Sequence, residues 1–396
     1  VIMSNSKSRL FFLDAIRAWA ILMMLQGHFI DGLLDNAFRD NSNILFTTWK
    51  YFRGITAPVF FTVSGFIFTF LLIKSPQTGW NNPRVKKGIK RGLELLVIAY
   101  LLRMNIFGLF KGEVYDSFYL VDVLHCIGLS LLFIIGFYIL TFAKQKWIFP
   151  TILVSTTLLL FIFEPIYKAS SFEFLPQVFA NYLTKANGSV FTIIPWLGYA
   201  TIGSFMSVLF SKYQESKNLY QYVVPTYIAI GLILMFLSSD FFLSIYEVTG
   251  IQLFQDIFNN NYLFIRLGDV LIVFSIFILL RKFLMNATWL RIGQSTLSIY
   301  IIHFIILYGS FTGVGLYRFF HHSLNPFIAI PGAILFMIAS TYLALKYEDH
   351  KADIKSSVFT FLSSTRIYLE QIAIILFEVL RTVTEKVLRL LGLIKN

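Results

Sequence analysis

The sequence predicts an all-α fold, a polytopic membrane helix bundle of about ten transmembrane helices followed by a C-terminal amphipathic helix. Three observations carry that expectation. Of the 396 residues, 57% are hydrophobic and only 14% charged, where soluble domains carry about 25% charged residues. Apolar runs of about 20 residues recur, the length a helix needs to cross a bilayer. The net charge of +12 sits in short loops beside those runs, which is how membrane orientation is encoded. That placement argues against nucleic acid as a partner and for membrane lipids.

The spans read in order as 12–33, 54–74, 92–110, 119–142, 147–164, 189–210, 221–239, 262–280, 290–310 and 325–346. Lys7 and Arg9 precede the first. The second connection holds Lys74, Arg84, Lys86, Lys87, Lys90 and Arg91, and later even-numbered connections hold Lys144 and Lys146, Lys212 and Lys217, then Arg281 and Lys282. Odd-numbered connections are poorer in cations and contain Asp240, Glu247 and Asp256. The positive-inside rule then places both termini of this multi-pass protein in the cytosol. The apolar run from Leu10 is too long for a cleaved signal peptide and lacks a small-residue cleavage site. With Cys126 as the one cysteine, an intrachain disulfide and a CxxC-type metal site are excluded, and no metal is expected.

The chain divides by pattern into a membrane domain, 1–350, and a tail, 351–396. In the tail Arg366, Glu370, Glu378, Arg381, Glu385 and Arg389 recur mostly four apart on an otherwise apolar helix. That is an amphipathic helix on the inner membrane face or against a partner, and a homo-oligomer is one such partner.

Chemistry enters with the ionisable residues inside the spans, which are expensive in lipid and are kept for function. Arg17 and His28 are separated by ten residues. Eleven steps of about 100° return to nearly the same helix face, roughly 16 Å along the axis. Asp14, Arg17, His28 and Asp31 therefore share a stripe. Alternating span directions place His28, Asp31, Arg103, Asp122, His125, Arg266, Asp269 and His303 together in the outer half of the membrane, an arrangement that a polar cavity accommodates. Arg17 and the dense cations Arg84, Lys86, Lys87, Lys90 and Arg91 face the other leaflet, where they suit a polyphosphate. No P-loop or GxGxxG is present, so ordinary soluble nucleotide binding is not supported.

The runs Arg9-LFFLDAIRAWAILMMLQGH-Phe29, Ala57-PVFFTVSGFIFTFLL, Asp122-VLHCIGLSLL, Ile194-PWLGYATIGSFM and Leu290-RIGQSTLSIYIIHF resemble, in order, segments of the heparan-α-glucosaminide N-acetyltransferase catalytic-domain family. The Arg-x10-His spacing is shared with the related acyltransferase type 3 family. Ala18 follows the first-helix Arg where the family has another small residue. The resemblance implies acyl transfer across a membrane. Acyl-CoA, expected to be acetyl-CoA, enters from the cytosol, its phosphates meeting Arg17 and the 84–91 cations, with Ser64 of the Ser-Gly pair on the donor side. A carbohydrate or glycolipid acceptor offers a hydroxyl or amine from the far side. His28 then acts as general base or as acyl acceptor. Asp269 or Asp122 is the expected orienter, with Asp31 one turn away. Arg103, His125 or His303 is the expected oxyanion stabiliser. The rival reading is a solute transporter or flippase that uses the outer cavity without making a bond; the sequence shows none of the internal repeats common in such proteins.

Overall fold

The computed structural model describes residues 10–390. Lys7, Arg9 and the end of the tail lie outside the described residues, as do the side chains of Arg366, Glu385 and Arg389. Every regular element described is helical. In chain order the principal helices are α1 (Phe11–Leu33), α2 (Ile44–Ile73), α3 (Pro83–Arg103), α4 (Val123–Thr141), α5 (Ile148–Ile162), α6 (Ile193–Tyr213), α7 (Leu219–Phe236), α8 (Tyr262–Leu279), α9 (Ala287–Gln294), α10 (Thr296–Tyr308) and α11 (Pro326–Leu390). The protein is a multi-pass membrane protein. Among the described residues six helices are long and apolar enough to cross a membrane, or seven when α9 and α10 count as one broken span. The other expected spans are present as helices of different character. α1 and α3 carry the charged residues, and α5 is short at 15 residues.

The chain forms two compact units, Val1–Leu343 and Ala344–Asn396. The second is helical through Leu390, and in it Lys351 reaches Glu348 at 3.0 Å. In the first, α2 packs most extensively on α6, α7 on α8, α3 on α4 and α1 on α9. Without a hydrophobic drive between helices inside lipid, small residues and close backbones supply the attraction. Gly65 faces the Ala200 carbonyl, Gly203 the Thr62 carbonyl, and Ser204 Oγ donates to Gly65 O at 3.2 Å. Phe12 and Ile16 of α1 join Val59, Phe66 and Phe70 of α2, Phe210 of α6 and Phe274 of α8 in one apolar core. That core holds one half of α1 fixed while the other half carries the polar stripe.

Side-chain caps set the helix starts. Asn43 Oδ1 accepts from the backbone N–H groups of Leu45 and Phe46, so α2 begins ten residues before the expected span. The expected span 290–310 is broken at Ser295, where α9 and α10 meet at 70°. Asn82, fully buried, caps α3 by accepting from Arg84 N at 2.9 Å. Its Nδ2 donates to Leu72 O at the end of α2 and to the Tyr138 hydroxyl of α4. One side chain thus ties three helices. Asn82→Ala removes a cap worth about 1 kcal/mol and leaves buried acceptors unpaired at about 1–3 kcal/mol. A drop of several degrees in the unfolding temperature in detergent is expected, and an unchanged melting curve counts against this tie.

Candidate active site

Two histidines expected in the outer half of the membrane meet. His28 of α1 and His303 of α10 lie with Nδ1 and Nε2 3.2 Å apart, ring centroids 5.2 Å apart. His303 is fully buried and His28 half-buried. The pair can be arranged in two ways. With the proton on His303 Nδ1, His303 Nε2 accepts from His28 Nδ1–H and the lone pair of His28 is on Nε2; the opposite tautomers reverse the bond. Among the described residues His28 Nε2 has no hydrogen-bond partner, and it is not sealed from solvent.

Tyr308, at the end of α10, stands edge-on to His28 with centroids 6.2 Å apart. Asp31, one turn beyond His28, is ion-paired to Arg53 of α2 and lies 3.7 Å from Arg39. Arg39 also donates to the carbonyls of Ile30, Asp31 and Leu34, closing the C-terminal end of α1. A cation at that end is favoured by the helix dipole. The stem of Arg53 lies over Gly27, where a Cβ would approach its Cγ at 3.2 Å.

Asp122, His125 and Arg103 form a neighbouring knot. Asp122 caps α4, its Oδ1 accepting from Leu124 N at 3.0 Å, while His125 Nδ1 lies 3.0 Å from the same oxygen and 3.2 Å from Asp122 N. Arg103 reaches Asp122 Oδ2 at 3.3 Å and donates to Ser117 O. His125 packs against Tyr100 at 4.4 Å, and its Nε2 is buried without a partner among the described residues. These three were expected beside His28 as orienter and oxyanion stabilisers. Asp122 is within electrostatic range of His28, but hydrogen bonds commit Asp122 and Arg103 to each other and to the start of α4. Breaking a buried ion pair of this kind costs about 3–5 kcal/mol, so the knot has a structural task whatever else it does.

Asp269 corrects the expectation that it orients His28. Its carboxylate accepts from Tyr51 Oη at 2.6 Å and Arg266 Nη1 at 2.8 Å, with the Arg266 guanidinium stacked over the Tyr51 ring. Gly54 leaves the room that Arg266 occupies. The hydrogen-bond partner of His28 is His303.

On the side expected to take the donor, Arg17 Nη2 donates to Thr296 Oγ1 at 2.7 Å, at the break between α9 and α10, and Nη1 lies 3.7 Å from Asp14. Met24, His28 and Asp31 are half-buried like Arg17, but Ile21 between them is sealed. Arg84, Lys86, Lys87, Lys90 and Arg91 all reach solvent on the first turns of α3, whose Val85, Gly88 and Gly92 are buried. Lys90 and Arg91 approach Glu94 at 3.9 Å, while Arg84, Lys86 and Lys87 have no acidic partner among the described residues. Ser64 Oγ donates to Phe60 O within α2, at 2.7 Å. No group of three or more His, Cys, Asp or Glu able to hold a metal occurs among the described residues.

An imidazole pair within a helical membrane bundle, with exposed cations on the first turns of α3, offers a proton acceptor and anion-binding groups. Residues 9–248 match the family described as heparan-alpha-glucosaminide N-acetyltransferase, catalytic, and the chain belongs to that family of membrane acetyltransferases. His28, Arg53 and Asp122 fall within the matched segment; His303 lies beyond it. Among curated proteins none matches the chain.

Proposed function

We propose that the protein moves an acyl group, acetyl above all, from cytosolic acyl-CoA to a sugar hydroxyl or amine presented on the opposite side of the membrane. The membrane is the bacterial cytoplasmic membrane, with both termini in the cytosol and the tail against the inner face. The observation that carries the reading is the 3.2 Å His28–His303 contact, because it orients the imidazole and, with the proton on His303 Nδ1, leaves His28 Nε2 available as base. An imidazole titrates near neutrality and accepts a proton without a large driving force. In the direct route Nε2 takes the acceptor proton as the acceptor attacks the thioester carbon. The proton then goes to the departing thiolate, giving free CoA. His303 holds the ring and does not touch the reactants.

The exposed cations Arg84, Lys86 and Lys87 take the phosphates of the donor, with Arg17 further along the path. Ile21 closes the half-exposed stripe between Arg17 and His28, so entry of the pantetheine arm requires a shift of that side chain or of the helix beside it.

Purified protein incubated with acetyl-CoA and assorted amino sugars is expected to release free thiol in proportion to acetylated sugar. Absence of thiol release with every acceptor, together with solute uptake into proteoliposomes, supports transport instead. Radiolabel retained on the protein and lost in His28→Ala indicates the two-step acyl-histidine route. The joint variant Arg84→Gln, Lys86→Gln, Lys87→Gln is expected to raise the KM for acetyl-CoA about tenfold, with a much smaller change in kcat, because charge-assisted phosphate contacts act on donor binding. An unmoved KM would place the phosphates elsewhere.

A further inference from the structure

We infer that Arg53 is a catalytic residue that donates hydrogen bonds to the thioester carbonyl oxygen as it becomes an oxyanion. The inference rests on His28 acting as the base.

Three observations carry it. First, position: the Arg53 stem covers Gly27 and its guanidinium reaches Asp31, so the side chain flanks His28 from the residue before it to the residue one turn after. Second, free valence: Nη2 is on Asp31, while Nε and Nη1 have no hydrogen-bond partner among the described residues. Of the other cations, Arg103 is held by Asp122 and Ser117 O, and Arg39 by three carbonyls at the end of α1. Arg266 makes one hydrogen bond, to Asp269, as Arg53 does to Asp31, but Asp31 stands one turn from His28 on the same helix. Third, surplus charge: one carboxylate, Asp31, faces two guanidiniums, Arg53 and Arg39. The Arg53–Asp31 pair is 35% and 39% exposed, and a pair so exposed adds little to stability. Stability alone is a weak reason to hold a second cation beside an imidazole. Compensation of negative charge that develops during reaction is a strong one.

The step balances in the direct route. The acceptor lone pair forms the new bond to the carbonyl carbon, the C=O π pair moves onto oxygen, and His28 Nε2 takes the acceptor proton. Arg53 N–H groups hold the oxyanion. On collapse the pair returns to the carbonyl, the C–S bond breaks, and sulfur leaves with the bonding pair and receives the proton from His28. Arg53 is neither oxidised nor deprotonated. A guanidinium, with five donors in a fixed fork, can hold Asp31 and an oxyanion together.

The test compares steady-state kinetics of the full-length native protein, Arg53→Gln, Arg53→Lys and Asp31→Asn in detergent, with acetyl-CoA as donor. Arg53→Gln is expected to lower kcat about 10²–10³-fold with donor KM within about threefold, the loss typical of one oxyanion donor. Arg53→Lys, which keeps a cation on Asp31, is expected to lose only about tenfold. Asp31→Asn is expected to lose less than Arg53→Gln. Arg53→Gln within threefold of native kcat overturns the inference, as does Arg53→Lys no better than Arg53→Gln, or equal losses in Arg53→Gln and Asp31→Asn, the pattern of a structural pair. Should Arg53→Gln fail to fold, Arg53→Lys carries the test alone, and native kcat in that variant overturns it. Native activity retained in His28→Ala sinks the base reading itself, and the inference with it, and is a separate result from an active protein indifferent to Arg53.

Discussion

His28→Ala is expected to reduce kcat by about 10²–10⁴-fold, the contribution of a positioned general base, while binding of acetyl-CoA survives. The donor phosphates are assigned to cations at the far end of α1 and on α3, so loss of the imidazole removes a transition-state interaction and spares ground-state binding. His303→Ala makes a sharper test, because its imidazole acts only through His28. The expected loss is about tenfold to a hundredfold in kcat with unchanged donor KM, since His28 then samples orientations and tautomers in which Nε2 is not a free base. His303→Gln keeps an acceptor for His28 Nδ1–H and is expected to restore part of the loss. A spectroscopic readout accompanies the kinetics: the 15N shifts of His28 report Nε2 as the unprotonated nitrogen in the native protein and a tautomer mixture in His303→Ala. Full activity in His28→Ala, or equal rates in His303→Ala and native protein, would remove the imidazole pair from the chemistry.

Much of this site is legible in the sequence because bilayer physics restricts what a polar residue can mean. Arg17 and His28 stand out in an apolar run, and the eleven-residue spacing puts them on one stripe of α1. Alternating spans put His303 at the same depth, and the structure joins the two rings. What depth alone cannot supply is pairing around the layer. Asp269 lies on α8 and is a plausible orienter by depth, yet Tyr51 and Arg266 take its carboxylate. Asp122 and His125 are legible as polar residues three apart, but their spacing is also that of a helix cap and the third residue after it, and they perform that task. Arg53 is harder to see, because the apolar run of the second span starts only at residue 54. The available signal is Asn43, a strong N-cap residue ten positions earlier, which extends α2 and brings Trp49, Tyr51 and Arg53 onto a helix facing α1. The break at Ser295 falls in the polar stretch 291–298, which a single span 290–310 runs through, and α9, on its near side, packs on α1.

That contact carries the second large expectation. A Cβ at Gly293 would lie 1.9 Å from the Asp14 carbonyl oxygen, and one at Gly203 would lie 1.9 Å from that of Thr62. Both obstacles are backbone, which cannot rotate away, and Cβ contacts under 3.0 Å essentially do not occur. Gly203→Ala therefore parts α2 from α6 by about an ångström, and overpacking of this kind costs about 1–3 kcal/mol or more, compounded here by loss of the Ser204–Gly65 bond. The unfolding temperature in detergent is expected to fall by several degrees. Gly136, on α4, has open space where a methyl group would stand, with nothing within 4 Å, and provides the control: Gly136→Ala gains about 0.5–1 kcal/mol of helix propensity and melts no lower than native. Gly293→Ala separates the two effects of close packing. Forcing α9 off α1 also pulls Thr296 from Arg17, so this variant is expected to raise the donor KM as well as lower the melting temperature, whereas Gly203→Ala lowers the melting temperature with a smaller change in KM. Equal KM values in the two would mean that the α1–α9 crossing holds the fold and has no part in admitting the donor.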